Sequence, residues 1–152
     1  MERPFVKENT AERGRLKRLA ESLNDTELNI PLAAGWTIAV ALVHLAFWDE
    51  RAVIVTRKWR KEGVKGLSPI DTDAVNDALV PISLAIPPRA AANLALAAAE
   101  AIDSELEQAP DSLINAIAAL GEPTRLNRAK HRKMHIDEIL TVLNAKGKIL
   151  SI

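Results

Sequence analysis

Residues 35–49 decide the fold, and they read GWTIAVALVHLAFWD. Apolar side chains fill almost every position from Trp36 to Trp48, which is typical of a helix enclosed by other helices. Thr37 is a good N-cap residue for such a helix. The apolar stretch contains His44 and is shorter than the roughly 20 residues that a membrane-spanning helix needs. We therefore predict a buried bundle helix over 37–61 with a histidine near its middle.

Three further stretches have the apolar spacing of long helices. They are residues 10–23, 88–108 and 124–145. Prolines within 67–89 predict a long crossover that holds a short helix over 72–79, and another short helix is predicted over 111–120. No stretch shows the alternation of a β-strand, so the predicted fold class is all-α, and four long helices predict a four-helix bundle.

The composition narrows the class of protein. A chain of 152 residues suits one domain over 1–152. With 20 basic and 20 acidic residues it lacks the net charge that would draw it to nucleic acid or to an anionic membrane. The absence of cysteine excludes disulfides, zinc–thiolate sites and a cysteine nucleophile. Together with an N-terminus that has no apolar signal core, it favours a cytoplasmic protein.

The three histidines of the chain form a candidate metal site. His131 and His135 are four residues apart, so on a helix both imidazoles lie on one face and can reach one ion. The third ligand would be His44, because facing helices of a bundle project side chains into a shared interior. Three neutral imidazoles leave coordination positions open, as in a catalytic site. Taken alone, His44 would be a hydrogen-bonded core residue, and His131 and His135 would belong to a solvated helix face. Taken together, the three histidines favour one shared divalent ion.

Other side chains near these positions have candidate roles. Glu138 and Asn127 lie on the same helix face as the histidine pair, and Glu138 would orient His135 or take part in proton transfer. The alternative for Glu138 is an exposed acid that pairs with a lysine or arginine. Trp48, one turn from His44, would form a wall of the pocket or simply belong to the core, and Asp49 is expected toward the end of the bundle.

The start of the last predicted helix is basic. Its cations are Arg125, Arg128, Lys130, Arg132 and Lys133. Positive charges at a helix N-terminus are unfavourable because they oppose the helix dipole. Their presence here suggests that the cluster has a functional role. We interpret Arg128 and Arg132 as binding the carboxylates of an anionic substrate or thiol cofactor. The alternative is a solvated, charged helix face.

These motifs together resemble the DinB/YfiT-like superfamily. Residues 36–49 are similar to its Trp-Thr/Ser…His-Leu-x-x-Trp-Asp signature, and His131-x3-His135 matches its second motif. Residues 70–76, from Ile-Asp to Val-Asn, resemble a stretch common in the mycothiol-dependent maleylpyruvate isomerase branch. The resemblance covers essentially the whole chain in motif order and spacing.

The resemblance implies an up-down-down-up bundle in which the three histidines bind one zinc, nickel, iron or manganese ion, and it implies frequent homodimers. Characterised members are transferases or isomerases that use mycothiol, bacillithiol or glutathione, and a few are hydrolases. The leading hypothesis is therefore a metal-dependent enzyme that transfers a low-molecular-weight thiol to a small electrophilic substrate. The alternatives are a metal-dependent hydrolase that uses metal-bound water, a non-catalytic ligand-binding bundle, and a bundle with three structural histidines.

Overall fold

A computed structural model describes residues 1–152 and is all-helical. Its α-helices, in chain order, are α1 (Pro4–Ser22), α2 (Asp25–Leu28), α3 (Ile38–Glu62), α4 (Thr72–Leu84), α5 (Pro88–Glu107), α6 (Asp111–Ala118) and α7 (Ala129–Ala145). Two 3-10 turns, Ala33–Gly35 and Pro123–Arg125, precede α3 and α7. None of the helices has both the length and the apolar character that crossing a membrane requires.

The four long helices α1, α3, α5 and α7 form an up-down-down-up bundle. One large apolar core takes the first halves of α3 (38–46) and α5 (91–99) and the second halves of α1 (16–20) and α7 (136–143). Helices α3 and α5 therefore run in one direction, and α1 and α7 run in the other. The connection from α3 to its parallel neighbour α5 is the predicted long crossover, and it carries α4.

Helix α3 confirms the prediction made from residues 35–49. Its N-cap is Thr37, whose hydroxyl accepts a hydrogen bond from the backbone N–H of Val40 at 3.2 Å. Every residue of 38–46 is buried, as an all-round apolar pattern requires. The helix ends at Gly63, where φ is 84°, a conformation that glycine adopts without strain.

Helix α1 begins earlier than the sequence predicts, at Pro4 instead of residue 10. Proline at the first helical position already has the required φ. The preceding Arg3 donates hydrogen bonds to the carbonyls of Leu106, Glu107 and Ala109 at the end of α5, at 2.7 to 3.1 Å. This contact with a distant helix fixes the start of α1, and local sequence does not reveal it.

Helices α4 and α7 also differ from the predicted bounds. Helix α4 continues past Pro81 to Leu84 instead of ending at residue 79. Proline leaves the carbonyl four residues before it without a helical partner, but that residue, Asp77, is exposed to water. Helix α7 begins at Ala129 instead of residue 124, because Asn9 of α1 accepts hydrogen bonds from the backbone N–H groups of Arg128 and Ala129, at 2.8 and 2.9 Å.

Candidate metal centre

The antiparallel packing of α3 and α7 brings the three histidines together. His131 and His135 lie on successive turns of α7, and His44 faces them from α3. The Nε2 atoms of His44 and His131 are 2.9 Å apart. One ligand atom from each of the three rings lies within 4.8 Å of the others. No other group of histidine and carboxylate side chains in the chain has this geometry.

All three imidazoles are held in the neutral form. Burial, together with the neighbouring His135, lowers the pKa of His44 to about 4. Burial and the other two histidines lower the pKa of His131 to about 3, with a smaller effect from Arg128 and Arg132. Burial also lowers the pKa of His135, although nearby Glu138 opposes this shift. Neutral imidazoles have the free lone pair that metal coordination needs.

The hydrogen bonding of the rings also fits a metal ion. His44 Nδ1, His135 Nδ1 and His135 Nε2 are buried and have no hydrogen-bond partner within the protein. A buried nitrogen without a partner destabilises a fold by about 1–3 kcal/mol, and most native structures avoid it. An ion among three nitrogen donors would satisfy some of these atoms. Imidazole is a good ligand for zinc, nickel and iron, so the donor set is that of a divalent transition-metal site.

Two tryptophans enclose the histidine cluster. The ring of Trp36 stacks on His135 with 5.9 Å between centroids and lies 4.9 Å from the ring of His44. Trp48 lies in the wall of the cavity, with its ring edge-on to His44 and 6.4 Å between centroids. The indole N–H of Trp48 donates a hydrogen bond to Asn76 Oδ1 of α4 at 3.0 Å. Sequence reasoning did not assign a site role to Trp36 or Asn76, although both fall within the stretches that carry the family resemblance.

An open cavity of about 880 Å³ leads to the histidines. Trp36, Trp48 and the three histidines line its floor, and the crossover before α4 contributes Leu67, Ser68, Pro69 and Ile70. Its charged lining residues are Arg51, Arg125, Arg128, Lys130 and Glu122. The volume suits a small organic molecule, because ligand pockets in proteins typically measure about 300–1,000 Å³.

Glu138 and Asn127 lie in different surroundings. Glu138 Oε2 is 3.4 Å from His135 Nδ1, close enough for an electrostatic interaction but not aligned for a hydrogen bond. Asn127 makes no hydrogen bond to the histidines and does not line the cavity that leads to them. Its side chain accepts a hydrogen bond from the backbone of Lys130 at 3.3 Å and donates one to Glu8 at 2.5 Å. The prediction for Asn127 is therefore corrected, because it stabilises the start of α7.

The prediction that Arg132 binds an anionic ligand is wrong. Its side chain is fully buried, and it donates two hydrogen bonds to Asp103, both 2.9 Å long. It donates two more to Asp49 Oδ2, at 3.0 and 3.1 Å. Arg132 follows His131, so it lies about 100° round the helix and faces the core instead of the cavity. Asp49 lies in the bundle interior between Arg132 and Arg128, and not at an exposed bundle end.

Arg128 does line the cavity, although part of its side chain is also committed. Its Nε donates to Asp49 Oδ1 and its Nη1 donates to the carbonyl of Thr124, both at 2.9 Å. The remaining Nη2 makes no hydrogen bond within the protein, and it is not buried. Arg128 is thus anchored on one side and free on the other.

The lowered histidine pKa values predict that metal-free protein loses stability in acid. In the unfolded chain each histidine binds a proton below about pH 6.5, whereas His44 and His131 in the fold stay neutral to about 4 and 3. Because the unfolded state binds more protons, stability falls as the pH drops below 6.5. Between pH 7 and pH 5 we expect a loss of about 1–2 kcal/mol for each of these two groups, allowing for solvent screening.

The measurement is the free energy of unfolding by urea of EDTA-treated protein at both pH values. A His44→Gln/His131→Gln variant is the control, since glutamine has a similar hydrogen-bonding capacity but does not titrate. The variant should show a smaller loss between pH 7 and pH 5. Equal losses in both proteins would mean that other groups, such as the carboxylates, cause the acid sensitivity.

Comparison with known proteins agrees with the residues of the site. A family model described as the DinB superfamily matches residues 8–145. The matched region includes all three histidines and every helix except the first residues of α1. No curated protein and no solved structure matches the chain.

Proposed function

This chain belongs to the DinB superfamily, and from that membership and its histidine cluster we propose that it is a metal-dependent enzyme that transfers a low-molecular-weight thiol to a small electrophile. The thiol would be mycothiol, bacillithiol or another thiol of this class. The observation that supports the proposal is the set of three neutral imidazoles at the base of an open cavity. A closed structural metal site would not need such access.

The histidines His44, His131 and His135 would hold the ion. When bound, the ion supplies positive charge that stabilises a thiolate and lowers the pKa of the thiol. The protein contributes the surroundings of the reacting atoms. Trp36 and Trp48 exclude water from one side of the cluster. Glu138, 3.4 Å from His135 Nδ1, would influence the orientation of that ring through its negative charge.

The reaction itself would be a substitution at carbon. The thiolate sulfur forms a bond to the electrophilic carbon, the bond to the leaving group breaks, and the leaving group departs with the electron pair. The thiol proton passes to solvent. The substitution is redox-neutral, so it needs no external oxidant or reductant. Its only reactants are the thiol and the electrophile.

The test measures thiol consumption with an activated chloroarene as the electrophile. Protein loaded with zinc, nickel, iron or manganese is compared with EDTA-treated protein, and with His135→Ala and Lys133→Ala variants. We expect turnover only with loaded protein and added thiol, loss of turnover in His135→Ala, and unchanged turnover in Lys133→Ala. Activity in the metal-free protein would contradict the proposal. Turnover of ester substrates without thiol would instead indicate a hydrolase, and binding without turnover would indicate a non-catalytic bundle.

A further inference from the structure

The cavity above the histidines is strongly positive although the chain as a whole is neutral. Its lining includes four cationic side chains and one acid, which are Arg51, Arg125, Arg128, Lys130 and Glu122. The whole chain has 20 basic and 20 acidic residues, so this imbalance is local. A cleft lined by charges of one sign attracts small molecules of the opposite charge.

Arg51 is the least compensated of these cations. It is half-buried, and its guanidinium carbon lies 5.8 Å from the centre of the Trp48 ring. It makes no ion pair and no side-chain hydrogen bond with any other residue. Burial, Arg125 and Arg128 all lower its pKa, and Glu122 only partly opposes this. Arginine nevertheless stays charged in proteins, so Arg51 presents five unused N–H donors in a partly dry pocket.

Arg125 and Arg128 face the same cavity with nitrogens to spare. Arg125 uses its Nε for Glu122, at 2.7 Å, and makes no other side-chain hydrogen bond. Arg128 uses Nε and Nη1, which anchors its guanidinium and leaves Nη2 free. The contrast is Arg132, whose nitrogens all bond to protein atoms in the core. The chain thus neutralises its core arginine completely but leaves the cavity arginines partly unpaired.

We infer that Arg51, Arg125 and Arg128 form an oxyanion subsite beside the histidine cluster, which binds a carboxylate, phosphate or sulfonate group of a small molecule. Guanidinium groups match these anions because they offer paired N–H donors in one plane. The face of Trp48 holds the Arg51 guanidinium in place, which lowers the entropy lost on binding. The role of this subsite in turnover rests on the proposed function, whereas anion binding itself does not.

The experiment titrates inorganic phosphate into the purified protein, and into EDTA-treated protein, at constant ionic strength. Binding is followed by the indole N–H resonances in NMR spectra. Trp48 lies under Arg51 and should shift, whereas Trp59, whose indole bonds to the carbonyl of Lys65, should not. Because the EDTA-treated protein holds no ion, saturation there reports on the cationic side chains of the cavity and not on a metal, and the variants below isolate Arg51.

Two arginine variants make the test specific. Arg51→Met should weaken phosphate binding about tenfold, since it removes a charge-assisted, bidentate partner. Arg18→Met removes the same charge from an exposed arginine of α1 that makes no ion pair and does not line the cavity, and it should leave binding unchanged. No saturable binding by wild-type protein, or equal weakening by both variants, would overturn the inference.

Two further arms identify the molecule that carries the anion. The first compares N-acetylcysteine with its amide as the thiol, and the second compares a chloronitrobenzoic acid with its methyl ester as the electrophile, so that chloride is the leaving group in both. In each arm the wild-type protein should turn over the charged compound faster than its uncharged analogue. If Arg51→Met removes that difference for the thiols, the thiol carries the anion; if it removes the difference for the electrophiles, the electrophile carries it. Phosphate binding without any thiol transfer would refute the proposed function and leave the subsite standing, so the two failures can be told apart.

Discussion

Replacing His131 with alanine is expected to abolish binding of a divalent ion. His131 has its Nε2 2.9 Å from that of His44, so its loss leaves two imidazoles on different helices. Losing only an outer partner of a metal ligand typically weakens metal binding about 10–100-fold, and the loss of a direct ligand should exceed this. Elemental analysis of untagged protein should show near-stoichiometric metal in the wild type and none in His131→Ala.

A matched variant on the same helix controls for changes in the cavity. Met134 also lines the cavity, one position before His135, and it is exposed. Met134→Ala should therefore retain the metal, and circular dichroism should show that both variants keep the helical fold. If wild-type protein binds no zinc, nickel, iron or manganese, or if His131→Ala retains the ion, the three histidines are structural.

The histidine cluster could be predicted because local periodicity determines most of it. The spacing of His131 and His135 places both on one face of any helix. The apolar surroundings of His44 imply that it is buried, whatever the topology. A bundle has one shared interior, so a buried histidine on one helix and a histidine pair on another are expected to meet there. The sequence therefore predicts the three members of the cluster before the packing of the helices is known.

The environment of the cations could not be predicted in the same way. The basic residues at the start of α7 look like one surface cluster in the sequence, but the helical rotation separates Arg128 from Arg132. Whether each is free or paired depends on Asp49 and Asp103, which come from α3 and α5. Arg51 is far from this cluster in the chain, so only the packing of α3 against α7 brings it to the cavity. These contacts are tertiary and leave no periodic signal.

The helix boundaries show the same division. Thr37 caps α3 locally, and the predicted start of that helix is within one residue of the observed one. The starts of α1 and α7 depend on Arg3 and Asn9, whose partners lie at the other end of the chain. Asn9 is polar, it is only 2% exposed, and its position in α1 gives no hint of this role. Local rules succeed where the cap is local and fail where another helix provides it.

Arg132→Met is expected to destabilise the protein by about 3–5 kcal/mol at pH 7. This is the usual cost of removing one partner of a buried ion pair, because the other partner is left as an uncompensated charge. Asp49 and Asp103 are 2% and 6% exposed, and both would be left in the core without their main cation. Burial already raises the pKa of Asp103 although Arg132 bonds to it. Without Arg132 the Asp103 carboxyl group can escape its burial penalty by taking up a proton, so the destabilisation should be smaller at pH 5 than at pH 7.

The measurement compares unfolding free energies of the two proteins in urea at each pH. Taking the difference between variant and wild type at one pH cancels the part of the histidines' acid sensitivity that the two proteins share. His131 contributes in the same direction, since Arg132 helps to lower the pKa of that histidine.

Lys133→Met is the matched control, because it removes one positive charge from the next position of α7. Lys133 pairs with Asp137 at 2.5 Å, but both side chains are largely exposed, and such pairs contribute only about 0–1 kcal/mol. A small effect for Lys133→Met beside a large one for Arg132→Met would show that burial, and not charge alone, makes Arg132 necessary. Comparable small effects would mean that Arg128 beside Asp49 and Arg13 beside Asp103 are enough to keep the two aspartates in the core. The register of α7, and with it the position of His131 and His135, would then depend on apolar packing and on the hydrogen bonds from Asn9 to the start of the helix.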